Sequence, residues 1–315
     1  MSDSKRSVRK RIISVRLVDG KHYYYFFGRP AKTLSRFSTY LCCRDLKHRI
    51  DLESKRLDEA KNELTAKYDS IQKLLRIHVL HDGRHHINKE SVASKIENFN
   101  ASGINEKLRT PKIIISLTSF PERMYDIHYC LYSLLTQSLK PDMVILWLAR
   151  EQFPNGEDDI PQKVLKLKDN GLTIDWCHDI KSYKKLIPAL QEYPDDMIVT
   201  ADDDIFYSED WLETLYTQYD GSKDIFCHRV HKVGMEGDRI IPYKEWKRDI
   251  NDTEDSLLNF PTSGGGVLFP PRSLYKDVTK EEVFLSLSPN ADDIWLWAMA
   301  LLAGRKIKII KLTSI

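Results

Sequence analysis

Three consecutive acids, Asp202, Asp203 and Asp204, follow directly on the apolar run Met197-Ile-Val-Thr-Ala and precede Ile205-Phe206-Tyr207. A buried strand that ends in carboxylates delivers acids to a cleft. Adjacent aspartates repel one another unless water, a helix N-terminus or a cation offsets their charge, and a hard divalent cation with oxygen ligands is an economical partner. The competing reading is a solvated loop, with an Asp capping the helix that begins near Ser208-Glu209-Asp210. A second acidic pair, Asp292-Asp293, stands at the head of an apolar helical run in Pro289-Asn-Ala-Asp-Asp-Ile-Trp-Leu-Trp. There the helix dipole stabilises anions, and Asn290 or Asp292 can serve as the cap; a cap accounts for one of the acids, not both.

The elements that must position these acids come earlier in the chain. Lys112 to Phe120 is a β-branched run ending in Thr118 and Ser119, and Pro121-Glu122-Arg123 then opens an amphipathic helix to about Leu139. That strand, turn and helix place hydroxyls, backbone N–H groups and Arg123 where phosphate can be held. Met143–Leu148 and Leu172–Cys177 are further strands, the second leading into His178-Asp179-Ile-Lys-Ser-Tyr-Lys184-Lys185 and a helix over about 186–192. Strands alternating with helices at this spacing predict right-handed crossovers and a mostly parallel sheet, with ligands at the carboxyl ends of the strands. Thr118, Ser119, Asp179, Lys184 and Asp202–Asp204 are therefore predicted to converge on one crevice. No Gly-x-Gly-x-x-Gly or Walker sequence is present, which removes most support for dinucleotide and P-loop readings.

Beyond the acids the alternation breaks. A helix over 210–219 and short strands at 224–230 and 239–243 are predicted, with His228 and His231 as secondary metal candidates. Residues 244–260 are polar and read as a mobile loop or lid, on which Trp246 could stack against a ring. Gly264, Gly265 and Gly266 enter a short apolar strand, which implies close backbone approach to a ligand or to another element. A final strand is expected at Lys308 to Leu312.

The N-terminal third is different in character. Residues 1–110 carry 24 Lys+Arg against 13 Asp+Glu, whereas residues 111–315 carry 24 against 33, so the near-neutral total conceals two functions separated along the chain. Segment 1–43 is basic and holds the aromatic block Tyr23 to Phe27, ingredients that suit an anionic membrane surface; a strand pair packing its aromatics on the next domain is the alternative. No glycine-punctuated aromatic motif points to nucleic acid. Over 44–80, Ile50, Leu57, Leu64 and Ile71 recur every seven residues, which reads as a long helix, either a coiled coil forming a homodimer or an amphipathic helix lying on its own chain. Residues 81–110, including His81, His85 and His86, read as a linker to the domain at 111–315. Five cysteines without a Cys-x-x-Cys pair argue against a disulfide framework and a zinc site and fit a reducing cytoplasm. Neither an export signal nor a run of 18 or more apolar residues is present.

Taken together and in order, Thr200-Ala-Asp-Asp-Asp-Ile, Ser263-Gly-Gly-Gly-Val and Ala291-Asp-Asp-Ile-Trp resemble the motifs of GT-A glycosyltransferases, of the family-two type used in bacterial polysaccharide assembly. The resemblance covers about residues 111–311 and implies a GT-A fold, that is, an α/β, Rossmann-like, mostly parallel sheet flanked by helices, here with a basic, helical N-terminal extension. It implies that Asp202 faces the nucleotide ribose and that Asp204, with Asp202, binds a divalent metal, Mn²⁺ or Mg²⁺. Asp203, Thr118, Ser119, Arg123, Asp179 and Lys184 would complete the donor site, and Asp293, with Asp292 beside it, would be the general base. Gly264–Gly266, Trp246 and Trp295 would lie on the acceptor side or its loop. The first acid is Asp292 where the family pattern has Glu, and Trp295 follows Asp293 by two residues. The donor would be a nucleotide-sugar, a UDP-sugar foremost, and the acceptor a glycan or lipid-linked hydroxyl at the inner face of the plasma membrane. A nucleotidyltransferase, or an inactive scaffold of this fold, is the alternative function.

Overall fold

A computed structural model describes residues 89–310 apart from 249 and 251–253, together with strand residues between 14 and 30 and helical residues 54–56, 58–62 and 67. The chain divides into two compact units, Met1–Lys73 and Leu74–Ile315. In the first, β1 (Ser14–Val18), β2 (Lys21–Phe26) and β3 (Arg29–Pro30) form an antiparallel sheet, with Arg16 opposite Tyr23 and Tyr25 opposite Pro30. Part of the aromatic block is thus strand. The heptad positions Ile50, Leu57, Leu64 and Ile71, on which the coiled-coil reading rests, lie outside the described residues.

The first described element of the second unit is α1 (Lys89–Glu97), a helix in the segment whose polarity reads as linker; its single buried residue, Val92, explains why no apolar periodicity announces it. The order then runs β4 (Ile113–Thr118), α2 (Ile127–Leu135), β5 (Met143–Ala149), α3 (Gln162–Leu165), β6 (Leu172–Cys177), α4 (Ile187–Glu192), β7 (Met197–Thr200) and α5 (Trp211–Thr217). Short strands follow: β8 (Ile225–Cys227), β9 (Val230–Lys232), β10 (Met235–Glu236), β11 (Arg239–Ile240), β12 (Asn259–Pro261) and β13 (Val267–Phe269). The unit closes with α6 (Glu281–Leu287), α7 (Asp292–Leu302) and β14 (Ile307–Ile309); residues 311 and 312 of the strand expected there lie outside the described residues.

Seven strands share one sheet in the order β14-β8-β13-β7-β4-β5-β6. β4 pairs in parallel with β5 and β7, β5 with β6 and β14 with β8, while β13 alone runs antiparallel between β7 and β8. This is the expected α/β class with a mostly parallel sheet flanked by helices. The break in alternation after the acids is where β13 enters against the common direction.

The side-chain period of two explains the layering. Ile113, Ile115 and Leu117 of β4 join Val144 and Leu146 in one apolar layer covered by Ile127, Leu131 and Leu134 of α2. Ile114, Ile145, Trp147 and Ile198 face the other way, against Ile187, Trp295 and Leu296. Strands buried on both faces read as continuous apolar runs, as β4 and β5 do. Each such buried Leu or Ile contributes roughly 1.5–3 kcal/mol, so the sheet interior carries the stability and the strand ends are left to carry charge. Among the described residues no helix is long and apolar enough to cross a membrane.

Candidate active site

The parallel register brings the ends of β4 and β7 side by side, with Ser116 opposite Thr200. Immediately beyond, each acid of the triplet has its own partner. Lys185 Nζ donates to Asp202 Oδ1 at 2.9 Å, Ser119 Oγ to Asp203 Oδ2 at 2.5 Å, and Arg123 Nη1 to Asp204 Oδ2 at 2.9 Å. The triplet is also anchored from beneath. The Asp202 N–H donates to Tyr207 Oη at 2.8 Å, and the Cys130 thiol donates to the Asp202 carbonyl at 3.3 Å. Asp210 does occupy the N-cap position of α5, but without a side-chain cap bond. The triplet is therefore not a freely solvated loop.

Burial is the main force on Asp203. It pushes that carboxyl up to about 6, helped by Asp204 and Asp202 and opposed by the Ser119 hydroxyl and Arg123. Asp203 is therefore not fully charged below neutrality.

Facing the triplet across a cleft of about 390 Å³ is the turn 181–185, whose Lys181, Ser182, Lys184 and Lys185 line it; Thr118, Ser119 and Arg123 line the β4 side. Lys181 adopts the left-handed region at φ 58°, which turns the chain sharply after β6 and aims successive side chains in different directions. Lys184 donates to Asp179 Oδ1 at 2.5 Å, and Asp179 also accepts from the Lys181 N–H at 2.9 Å and Gln152 Nε2 at 3.0 Å. Burial works against the Asp179 charge, yet these donors prevail and hold its carboxyl below the usual range.

Lys185, also buried, reaches a different set of partners. Its Nζ reaches Asp202 and also lies 3.2 Å from Asp292 Oδ2, close enough for charge pairing but without hydrogen-bond alignment. Burial would lower its ammonium pKa; the charges of Asp202, Asp292 and Asp293 outweigh that and hold it well above the ordinary value. Sequence reasoning selects Lys184 and passes over its neighbour. The only signal was the Lys-Lys pair itself, because the partners of Lys185 lie 17 and 107 residues away.

At the head of α7 the capping expectation is corrected. The N-cap position is Ala291, with no side-chain cap bond, and Asn290 Oδ1 accepts instead from Lys181 Nζ at 2.8 Å. Asp292 Oδ1 accepts from Ser182 Oγ at 2.7 Å. Asp293 accepts from the Ser263 hydroxyl and lies 3.3 Å from the Ser263 N–H. Burial pushes the Asp293 carboxyl up to about 6; Lys185 and Ser263 oppose the rise, while Asp292 and Asp202 add to it. The two acidic clusters thus lie on the same side of the sheet, joined through Lys185.

The glycines serve close approach to other protein elements. A Cβ on Gly264 would stand 2.7 Å from Arg229 Nη2 and 3.2 Å from Asp202 Oδ2, and one on Gly266, at φ +94°, would fall 2.5 Å from the Trp211 ring. Trp211 Nε1 donates to the Gly265 carbonyl at 2.8 Å, and the Tyr207 hydroxyl lies 3.4 Å from the Gly264 carbonyl. The glycine segment is therefore seated on the triplet and on α5.

Trp246, Trp295, His228 and His231 are not among the residues lining the cleft. Trp246 donates to the Ile241 carbonyl and packs edge-on against Tyr243 and Phe260, with ring centroids 5.1 and 5.4 Å away. Trp295 is buried and donates to the Val278 carbonyl. Both ring nitrogens of His228 lie 3.0 Å from backbone carbonyls, those of Ile310 and Trp211, and His228 does not line the cleft. His231 Nδ1 is paired with the Tyr243 hydroxyl at 2.8 Å.

Among the described residues no group of three or more His, Cys, Asp or Glu side chains is gathered as a metal site. Asp202 and Asp204 each engage one oxygen, with Lys185 and Arg123, and have side chains about one-third exposed, at 31% and 32%. This oxygen-only, incomplete donor set fits a hard cation shared with phosphate and water rather than a protein cage.

No protein-family model and no curated protein matches the chain. Among solved structures it is similar to S. aureus TarS 1-349, at 15% identity over 64% of this chain and 59% of that one, with a TM-score of 0.42. It is also similar to the inositol-1-phosphate CTP transferase from T. maritima, at 13% identity over 64% of this chain and 85% of that one, with a TM-score of 0.39. A third similar structure is the mannosyltransferase PcManGT from Pyrobaculum calidifontis in complex with GDP-Man and Mn2+, at 12% identity over 44% and 41% of the two chains, with a TM-score of 0.30. The functional reading rests on the site.

Proposed function

We propose that this chain is a metal-dependent, GT-A-type glycosyltransferase that moves a sugar from a nucleotide-sugar to a glycan or lipid-linked hydroxyl in bacterial surface polysaccharide synthesis. One observation carries the reading: Lys185, which lines the cleft, joins strand-end Asp202 on that cleft to helix-start Asp292 outside its lining, so one cation ties the two acidic clusters together.

The residues suit an inverting displacement. Asp293, with its carboxyl near 6, is ionised at neutral pH and still basic enough to take the acceptor hydroxyl proton. The acceptor oxygen then bonds to the anomeric carbon as the bond from that carbon to the diphosphate breaks, and the nucleoside diphosphate leaves. Arg123, Lys181 and Lys184 supply positive charge at the cleft wall where that anion develops. Asp202 and Asp204 would hold the divalent cation, Mn²⁺ or Mg²⁺, which when bound neutralises charge on the leaving diphosphate. Asp179 and Thr118 lie at the strand ends, within reach of the nucleoside part of a donor lying along the cleft, of which a UDP-sugar is the first to try.

The basic, aromatic N-terminal sequence supports placement at an anionic membrane surface, and the seven-residue repeat over 44–80 supports a homodimer.

The same lining supports a second reading. Four cations, Arg123, Lys181, Lys184 and Lys185, would also suit a triphosphate, and with it a nucleotidyltransferase. Incubation with Mn²⁺ and a panel of sugar nucleotides separates the two. Release of nucleoside diphosphate is expected. Pyrophosphate release from a nucleoside triphosphate and a sugar 1-phosphate would select the second reading, and no release or thermal shift with any donor would defeat the first.

A further inference from the structure

The turn 181–185 touches the stretch 288–292, from just past α6 to the first residue of α7, at every step but one. Lys181 donates to Asn290, Ser182 to Asp292, the Tyr183 hydroxyl to the Ser288 carbonyl at 2.6 Å, and Lys185 approaches Asp292 at 3.2 Å. The Tyr183 ring also stacks on Phe284, with centroids 4.1 Å apart. The turn is held to the sheet from behind: Ser116 Oγ donates to the Lys185 carbonyl at 2.7 Å, and Trp147 Nε1 donates to Ser116 Oγ at 3.0 Å. A fully buried strand residue and a buried Trp thus fix the backbone of Lys185, whose ammonium bridges the two acidic clusters.

From this geometry we infer that Lys185 is a positioning residue: its ammonium clamps strand-end Asp202 to helix-start Asp292 and so fixes where the next residue, Asp293, stands relative to the acids on the donor cleft. The inference rests on the glycosyltransferase reading for its consequence, but not for its geometry. A clamp of this kind has a signature that a donor ligand lacks. A lysine that mainly held diphosphate would be missed in donor affinity. A lysine that holds two protein carboxylates in register is missed in turnover, because displacement of a catalytic group by about 1 Å can cost about 100-fold. Asp293 also faces Asp292 from its own helix, Asp202 from the end of β7, Ser263 from the glycine segment and Lys185 from the turn. Of these, Lys185 is the cation.

The test compares wild type, Lys185→Met and Lys185→Arg in three measurements: donor affinity by calorimetry with Mn²⁺ and the sugar nucleotide that wild type turns over, nucleotide release at saturating donor, and the Asp293 carboxyl titration by ¹³C NMR of Asp-labelled protein. In K185M, a fall in release at saturating donor of about 100-fold, larger than any fall in donor affinity, and a rise of the Asp293 midpoint by about one unit are expected, with most of each restored in K185R. A loss of donor affinity equal to the loss of rate, with the Asp293 midpoint unmoved, would make Lys185 a donor ligand and overturn the clamp; so would unchanged turnover. If wild type releases no nucleotide from any donor, the glycosyltransferase reading fails, and the NMR midpoint alone decides the clamp. Should K185M not fold, Ser182→Ala, which loosens only the other oxygen of Asp292, is expected to lower turnover several-fold at unchanged donor affinity, and wild-type turnover in it would count against the clamp.

Discussion

Ser263 donates its hydroxyl to Asp293, and its backbone N–H lies 3.3 Å from the same carboxylate oxygen. The glycine segment thereby supports the ionised form of the proposed base. Removing the hydroxyl in Ser263→Ala withdraws a charge-assisted hydrogen bond worth roughly 1.5–3 kcal/mol, so the Asp293 carboxyl should rise from about 6 by roughly one to two units. The ascending limb of the pH profile of kcat/KM for nucleotide release is expected to shift upward by that amount, with Asp293→Asn lacking the limb and most of the activity. A limb at the wild-type position in S263A would separate Ser263 from the base.

Asp203 makes a stability prediction of defined sign. Its folded carboxyl lies near 6 against an ordinary value of 3.8, so between those values the folded protein binds more protons than the unfolded chain. The Asp203 contribution to stability therefore falls as pH rises through that window, and the cost is fully present above pH 6. Asp203→Asn cannot ionise and keeps a carbonyl for the Ser119 hydroxyl. Urea denaturation should find it more stable than wild type by about 1–3 kcal/mol at pH 8, with the difference vanishing near pH 4. Equal stability at pH 8 would show that Asp203 is not held in a desolvated site.

Gly266 carries a backbone conformation that side chains rarely adopt, at φ +94°, with the Trp211 ring 2.5 Å from where a Cβ would stand. Gly266→Ala is expected to destabilise the fold by about 1–3 kcal/mol from backbone strain alone, read as a lower urea midpoint at unchanged slope. A wild-type midpoint would mean that the glycine segment does not seat on α5 as described.

What was legible in the sequence follows the range of the forces involved. Ile113–Thr118, Met143–Ala149 and Met197–Thr200 announce themselves because strands buried on both faces must be apolar throughout, and Asp202–Asp204 stand out because charge at the end of such a run is unusual. The α/β class follows from the alternation of those runs with helices. Contacts between distant segments left no local mark. Lys185 cannot be told from Lys184 without knowing that Asp292 comes alongside, and Gly264 and Gly266 signal close approach without saying that Arg229 and Trp211 are what approaches. Trp246 in a polar stretch reads as a lid residue, yet Tyr243 and Phe260 fold around it. Glu281–Leu287 escaped notice because a seven-residue helix with Phe284 as its one buried residue shows no period.

The central claim is that the aspartate triplet and the turn facing it form the donor site, with Asp204 holding a cation there. Calorimetric titration of a sugar nucleotide that the wild type turns over, with and without Mn²⁺, into wild type and Asp204→Ala tests it directly. Wild type should bind the donor more tightly with Mn²⁺, and the variant should lose that enhancement, falling by roughly tenfold or more as a charge-neutralising interaction of about 1.4 kcal/mol or greater is removed. Wild-type donor affinity for Asp204→Ala in the presence of Mn²⁺ would contradict the account.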